Sequence, residues 1–503
     1  MSEVGSRFEQ SRKTCGMVVA PAVAALVWMR LDGSLTPAGR SVSAILAMVA
    51  VLWVTEALPL PVTGILGVVL CILFGVADAK TALAPFADPI VFLFIGSFML
   101  ARAMTLHQLD RRLALGFLSL RFIGGNTTRV LAGLGLVSIL ISMWVSNTAT
   151  TAMMLPVTLG IVSTLNRARG KGGATSEPWP YATGVMIMIA YAASIGGIGT
   201  PVGSPPNLIG IGLIRSLAHV EISFFRWMAI AIPMLIVMGL ALFFMIRGMG
   251  ITDRETPGAA HDLEHYLHEE REALGRWTAG EINTLAAFVL AITLWLMPGL
   301  LSLALPKEHP WLAMCESRLP EAVAAIVAAL FLFAAPLDWK QRTFTLTWED
   351  AVQIDWGTIL LFGGGLSLGT LMFKTGVAEA MGSAITGILG ARSLWSITAT
   401  CIGMGIIISE ATSNTAAANM ICPVAIALAQ SAGVNPVPPA LGACLGASFG
   451  FMLPVSTPPN AIVYSSRLVP LSKMIRAGVL FDILGFFIVL IGLRILCPLM
   501  GLS

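Results

Sequence analysis

Val145-Ser146-Asn147-Thr148-Ala149 interrupts one apolar run, and Thr412-Ser413-Asn414-Thr415-Ala416 interrupts another, 267 residues further on (from 146 to 413). Each Ser-Asn-Thr is followed by a Pro-Pro-Asn, at Pro205-Pro206-Asn207 and Pro458-Pro459-Asn460, 253 residues apart (from 205 to 458). Polar residues and helix breakers are costly in hydrocarbon. Their recurrence in corresponding places means that one half of the chain repeats the other, and it points to a binding site in a duplicated membrane transporter.

Around these motifs the chain is too apolar to be soluble. Of its 503 residues 56% are hydrophobic and 11% charged, and the mean hydropathy is +0.85. Runs over 41–55, 60–77, 89–104, 225–246, 282–304, 321–335, 357–373 and 477–500 approach or reach the roughly 20 residues that a spanning helix needs. The expected architecture is an all-α polytopic membrane protein, an inverted-repeat transporter with about 11 transmembrane helices and two re-entrant helical hairpins. Residues 1–40 form an N-terminal tail and first helix, 41–247 the first repeat with its hairpin at 129–166, 248–281 a cytoplasmic linker, and 282–503 the second repeat with its hairpin at 394–432. Basic residues such as Arg12, Lys13, Arg111, Arg112, Arg169, Lys171, Arg254, Lys473 and Arg476 then fall on one side, which the positive-inside rule makes the cytoplasm. The N-terminus is expected inside and the C-terminus outside, in a bacterial inner membrane. The net charge of +3 is thereby a topology signal and not a nucleic-acid footprint.

The halves match beyond the tripeptides. Val91–Arg111 aligns with Ile359–Glu379, each an apolar span running into an amphipathic stretch (101–121 and 369–392) suited to an arm along the membrane interface. Ala193–Asn207 aligns with Gly446–Asn460, sharing Gly197/Gly450 and Pro201/Pro454. An odd number of crossings between equivalent segments makes the second half upside down relative to the first. Each Ser-Asn-Thr sits at a hairpin tip, where a helix N-terminus offers free N–H groups and a positive dipole end: an anion site without a basic residue. The proline breaks free carbonyls one turn back. With hydroxyl and amide oxygens these are hard ligands, suited to Na⁺. Ser142 lies four residues before Ser146, and Ser409 four before Ser413, so each pair shares a helix face.

Ala447-Ser448-Phe449-Gly450-Phe451-Met452-Leu453-Pro454-Val455-Ser456-Thr457-Pro458-Pro459-Asn460-Ala461-Ile462-Val463 resembles the signature of the divalent anion:sodium symporter family, the sodium/dicarboxylate, citrate and sulfate carriers. The Ser-Asn-Thr motifs and Trp53-Val54-Thr55-Glu56-Ala57-Leu58-Pro59-Leu60-Pro61 are similar to that family too. The resemblance implies Na⁺-coupled symport of a C4-dicarboxylate by a homodimer whose scaffold and transport domains, each built from both repeats, move as an elevator. It implies one sodium site from Ser142, Ser146, Asn147 and Gly203 and a second from Ser409, Ser413, Asn414 and Ser456, with Gly197 and Gly199 as alternatives at the first break. Substrate carboxylates would meet Asn147, Thr148, Ser204, Asn414, Thr415, Thr457 and Pro458. Family exchangers tend to carry a cationic side chain at the sodium position. Neither tip nor break has one, which favours sodium coupling over the alternatives: a dicarboxylate exchanger, a sulfate or citrate carrier, or a passive channel.

Other features carry less. Gly363-Gly364-Gly365 lacks the Gly-Lys-Ser/Thr of a phosphate loop and reads as close helix approach. His261, His265 and His268 lie in a mixed-charge linker without a fixed set of further ligands, and the seven scattered cysteines read as packing. No nucleophile with its base, and no metal-ligand motif, lies at membrane depth, so an enzyme is not expected. Glu56 and Glu410 are the acids deepest in apolar sequence; structural roles are expected for both, with carrying a proton or tuning the cation site as the alternative for Glu410, which sits beside Ser409.

Overall fold

The computed structural model describes residues 3–31, 33, 35–120, 126–168, 179–249, 259–306, 309–389 and 393–502. Arg169, Lys171 and Arg254, expected on the cytoplasmic side, lie outside the described residues, as do 121 and 390–392 at the ends of the two amphipathic stretches. The chain is an all-α polytopic membrane protein. Ten of its described helices are long and apolar enough to cross a bilayer, and four shorter apolar helices accompany them. The only strands among the described residues are Pro336–Asp338 and Thr343–Phe344, a two-stranded ribbon that the sequence reading does not anticipate.

A helix pair meets at each Ser-Asn-Thr. Hairpin 1 pairs Thr127–Ser142 with Asn147–Ala168, and hairpin 2 pairs Leu394–Ala411 with Asn414–Ser431. Local chemistry sets their ends. Asn126 and Ser393 cap the entering helices through Thr128 N and Ser396 N, and Ser413 caps the returning helix of hairpin 2 through Ala416 N. The amphipathic stretches are also paired. Pro89–Leu106 turns at Gln108, with φ of 54°, into Leu109–Leu118, and Trp356–Lys374 turns at Gly376, with φ of 77°, into Val377–Leu389.

At the centre Pro180–Gly196, with its 3₁₀ continuation Gly197–Gly199, is buried at every residue after Pro180. Its Tyr191 hydroxyl donates to Phe451 O (2.7 Å) in the opposite repeat. Small residues let helices meet closely: a Cβ on Gly364 would lie 3.0 Å from the Gly64 backbone, and one on Gly96 would lie 2.7 Å from that of Ala325. The glycine run 363–365 therefore does serve helix approach. Glu56 differs from expectation. Its side chain is 38% exposed and pairs with Arg12 at 2.7 Å, because its left-handed backbone (φ 47°) ends a helix and turns it outward.

Within the linker, Ala259–Ala273 is a helix with Leu263 and Leu267 buried beneath it. His265 and His268 point outward beside Glu269 and Glu272, while the His261 side chain lies outside the described residues. Arg112 on the first arm closes the linker. Its guanidinium binds the Glu281 carboxylate, Leu274 O (2.8 Å) and Gly275 O (3.1 Å), tying the arm to the linker's end and to the start of Ala279–Ala304. Arg112→Ala would leave the Glu281 carboxylate buried without its counter-charge. It is expected to cost about 3 kcal/mol, read as a fall in the thermal unfolding midpoint of the detergent-solubilised protein; an unchanged midpoint would mean the tie is idle.

Candidate functional site

Both tips and both proline breaks open onto one cavity of about 550 Å³. Its wall carries Ser146, Asn147 and Thr148 from the first tip, Gly203, Ser204 and Pro205 from the first break, Ser413, Asn414 and Thr415 from the second tip, and Ser456, Thr457 and Pro458 from the second break. Four helices begin here: Asn147–Ala168, Pro205–Leu213, Asn414–Ser431 and Pro458–Ser465. Proline at the first positions of the two break helices removes a donor that would be unsatisfied there anyway. Ser204 and Thr457, in the cap positions, make no side-chain cap bond. Four positive dipole ends converging on one cavity make it a place for an anion.

Ser142 and Ser409 are fully buried and lie behind the tips, off the cavity wall. Each serves its own asparagine: Ser142 Oγ is 2.8 Å from Asn147 Oδ1, and Ser409 Oγ is 2.8 Å from Asn414 Oδ1. Ser409 Oγ is also 2.8 Å from Ala447 O. One hydroxyl proton cannot satisfy both acceptors, so oxygens outnumber protons at this tip. At the first break a Cβ on Gly203 would lie 2.7 Å from Gly197 O and 2.8 Å from Met143 O, and one on Gly197 would lie 2.4 Å from Asn147 Oδ1. Backbone and amide oxygens thus crowd a spot that only glycine leaves open. Such acceptor-rich places are where a hard cation fits. Gly203 lies beside the first tip against the carbonyls of Gly197 and Met143, and Gly199, the other alternative, packs against the Leu235 and Met143 side chains.

Two residues outside the expected site hold the breaks in shape. Asn207 Nδ2 donates to Gly197 O (2.7 Å) and Thr200 O (2.8 Å), and Asn460 Nδ2 donates to Gly450 O (3.0 Å) and Leu453 O (3.1 Å). The partners correspond through the 253-residue offset, so the third letter of each Pro-Pro-Asn is the brace of its own break. Their Oδ1 atoms are buried without a partner among the described residues. The repetition was the available signal. Arg102 was also missed as a wall residue: it reaches the cavity from Pro89–Leu106, bonds Gln353 Oε1 at 2.5 Å, and lies 3.5 Å from Asp350. No signal near the motifs marks it, since it comes from a different helix. Thr150, one turn beyond the first tip, is fully buried and contributes nothing to the cavity surface.

A family model described as "Sodium:sulfate symporter transmembrane region" matches residues 11–501. The chain belongs to this sodium:sulfate symporter family. As a member it is a membrane transporter and not an enzyme, and the resemblance drawn from its motifs is to the same divalent anion:sodium symporter group. It is 31% identical over 486 residues to the sodium-dependent dicarboxylate transporter SdcS of Staphylococcus saprophyticus, covering 96% of this chain and 91% of that one. An uncharacterized transporter of Haemophilus influenzae is 33% identical over 449 residues, 89% of each chain. Among solved structures, the Alcanivorax borkumensis YdaH transporter aligns with a TM-score of 0.52 at 13% identity, over 86% of each chain, a likeness of fold alone.

Proposed function

We propose that the protein is a secondary active transporter that carries a C4-dicarboxylate (the succinate, malate and fumarate class) together with two or more Na⁺ ions. The observation that carries this reading is the single cavity on which four helix N-termini converge, with an oxygen-rich pocket beside each tip. In this reading Ser142, Ser146, Asn147 and Gly203 hold one ion, aided by the carbonyls of Gly197 and Met143. Ser409, Ser413, Asn414 and Ser456 hold the other. The two ions neutralise a dianion that meets Asn147, Thr148 and Ser204 on one side and Asn414, Thr415, Thr457 and Pro458 on the other. Similarity to transporters named for sodium-dependent dicarboxylate transport supports the same choice of ion and anion.

The cavity wall also has a part that belongs to neither tip nor break, from Ser97 to Thr105 and from Gln353 to Thr358. This division into two walls supports an elevator, in which the hairpins and breaks travel as one body, inverted repeat against inverted repeat, past a stationary wall. We further propose that the protein works as a homodimer in a bacterial inner membrane, with the N-terminus in the cytoplasm and the C-terminus outside.

Uptake of labelled succinate into proteoliposomes tests the reading. Accumulation is expected with an inward sodium gradient and should collapse when Na⁺ is replaced by K⁺ or choline. Equal uptake in choline with dicarboxylate inside would instead identify an exchanger.

Within a tip the roles should separate. Ser146 and Thr148 both reach the cavity wall, but the Ser146 Oγ also accepts from Ala149 N (3.3 Å) at the turn. Thr148→Ala and Thr415→Ala are expected to raise the KM for succinate about tenfold or more, the loss of one hydrogen bond to a charged group. Ser146→Ala and Ser413→Ala should shift sodium activation instead. Indistinguishable effects of the two pairs would refute the division.

A further inference from the structure

We infer that the cation site at the second tip is the tighter of the two, because two buried carboxylates, Glu410 and Asp482, stand behind it while no acid occupies the equivalent place in the first repeat. The inference rests on the reading of the two tips as cation sites.

Glu410 lies in the last turn before the second tip and is 6% exposed. Its Oε1 accepts from Met452 N at 2.8 Å, and its Oε2 accepts from Ser456 Oγ at 2.6 Å. That second bond commits the Ser456 hydroxyl proton to Glu410 and leaves the hydroxyl oxygen available as an acceptor. Asp482, on the closing helix Leu471–Leu499, is likewise 6% exposed and faces Glu410. Its oxygens find no donor among the described residues other than the Glu410 carboxyl itself, which lies within hydrogen-bonding reach, so the two acids share whatever proton they hold. Tyr191, packed against both acids, has its hydroxyl directed to the carbonyls of Phe451 and Met474. None of the described ion pairs gives either acid a basic partner.

A buried negative charge without a counter-charge is costly. A cation seated among Ser409, Asn414 and Ser456 stands one residue and one hydrogen bond from Glu410, and supplies that counter-charge. The first repeat is built differently. The 267-residue offset puts Met143 where Glu410 is, and the 253-residue offset puts Gly203 where Ser456 is. There the clamp is neutral, Thr200 Oγ1 donating to Met143 O. A full charge within roughly 8 Å at the effective dielectric of a protein interior changes a cation's affinity about tenfold or more. The two sites, alike in their serine and asparagine, therefore fill at different sodium concentrations.

The test is a sodium titration of the purified, detergent-solubilised full chain, read by thermal stabilisation with K⁺ as the ionic-strength control and without substrate. The wild type is expected to show two phases. Glu410→Gln and Asp482→Asn should each weaken the high-affinity phase about tenfold and spare the other, while Gly203→Ala should remove only the low-affinity phase. Asp482→Asn leaves the tip ligands and the bonds of Glu410 to Met452 N and Ser456 Oγ in place, so it keeps the test open if Glu410→Gln misfolds, and Asp482→Glu should restore the phase. A high-affinity phase that survives both acid replacements, or that disappears in Gly203→Ala, overturns the inference while leaving sodium coupling intact. Absence of any sodium-specific stabilisation in the wild type removes the cation-site reading and the inference with it.

Discussion

Asn207→Ala and Asn460→Ala should each abolish dicarboxylate uptake at every sodium concentration, although neither side chain lies on the cavity wall. Each amide holds two carbonyls of its own break, Gly197 O with Thr200 O and Gly450 O with Leu453 O, at 2.7–3.1 Å. Both asparagines are fully buried, so the released carbonyls cannot turn to water. Leaving buried acceptors unsatisfied costs about 1–3 kcal/mol each. Only the long backbone turn bonds from Gly203 N to Thr200 O (3.3 Å) and from Ser456 N to Leu453 O (3.2 Å) remain to hold the break, so it should reshape or fluctuate. Uptake by the variants in proteoliposomes, with the amount of folded protein verified by size-exclusion chromatography, measures the effect. Retention of more than a tenth of wild-type uptake by either variant would show that the break holds its shape without its brace.

The second large effect is an asymmetry between equivalent glycines. Gly197→Ala would drive a Cβ to within 2.4 Å of Asn147 Oδ1, whereas Gly450→Ala meets Thr457 Cγ2 at 3.1 Å and Asn414 Oδ1 at 3.3 Å. The first clash cannot be relieved without moving the tip asparagine, and overpacking of this kind costs about 1–3 kcal/mol. The second asks only a few tenths of an ångström of a methyl group. Gly197→Ala is expected to raise the sodium concentration for half-maximal uptake by ten times or more, and Gly450→Ala by no more than about threefold. Equal shifts would mean that the two breaks are interchangeable and that their packing differences are without consequence.

The repeated motifs made the hairpins, the breaks and the shared cavity readable from sequence, because Ser, Asn, Thr and paired prolines inside hydrocarbon need a reason to be there. The same pattern fails for residues that act through space. Arg102 and Gln353 share the cavity wall with the tips but are far from them in sequence. Glu56 read as a buried acid because its neighbours are apolar; its left-handed backbone and its partner Arg12, 44 positions earlier, are tertiary facts. Asp482 drew no notice for the opposite reason: a single acid in a 29-residue helix has no motif around it, and only packing brings it to Glu410. Asn207 and Asn460 were legible as letters, but their task as braces emerges only when the chain turns back on itself.

The linker helix has a mechanical consequence. It lies across the first hairpin, with Tyr266 so close to Gly160 that an added Cβ there would fall 1.9 Å from the phenol oxygen, and its Glu270 is held by Arg111 of the arm at 2.8 Å. If the hairpin slides while the arm stays at the interface, this helix is a clutch plate between a moving and a fixed part: it must either ride along and release the arm, or grip the arm and let the hairpin slip beneath Tyr266. In the proposed elevator, whichever surface let go would add its release energy to the barrier of the stroke. The pace of transport would then be set in a surface linker that never touches the cargo.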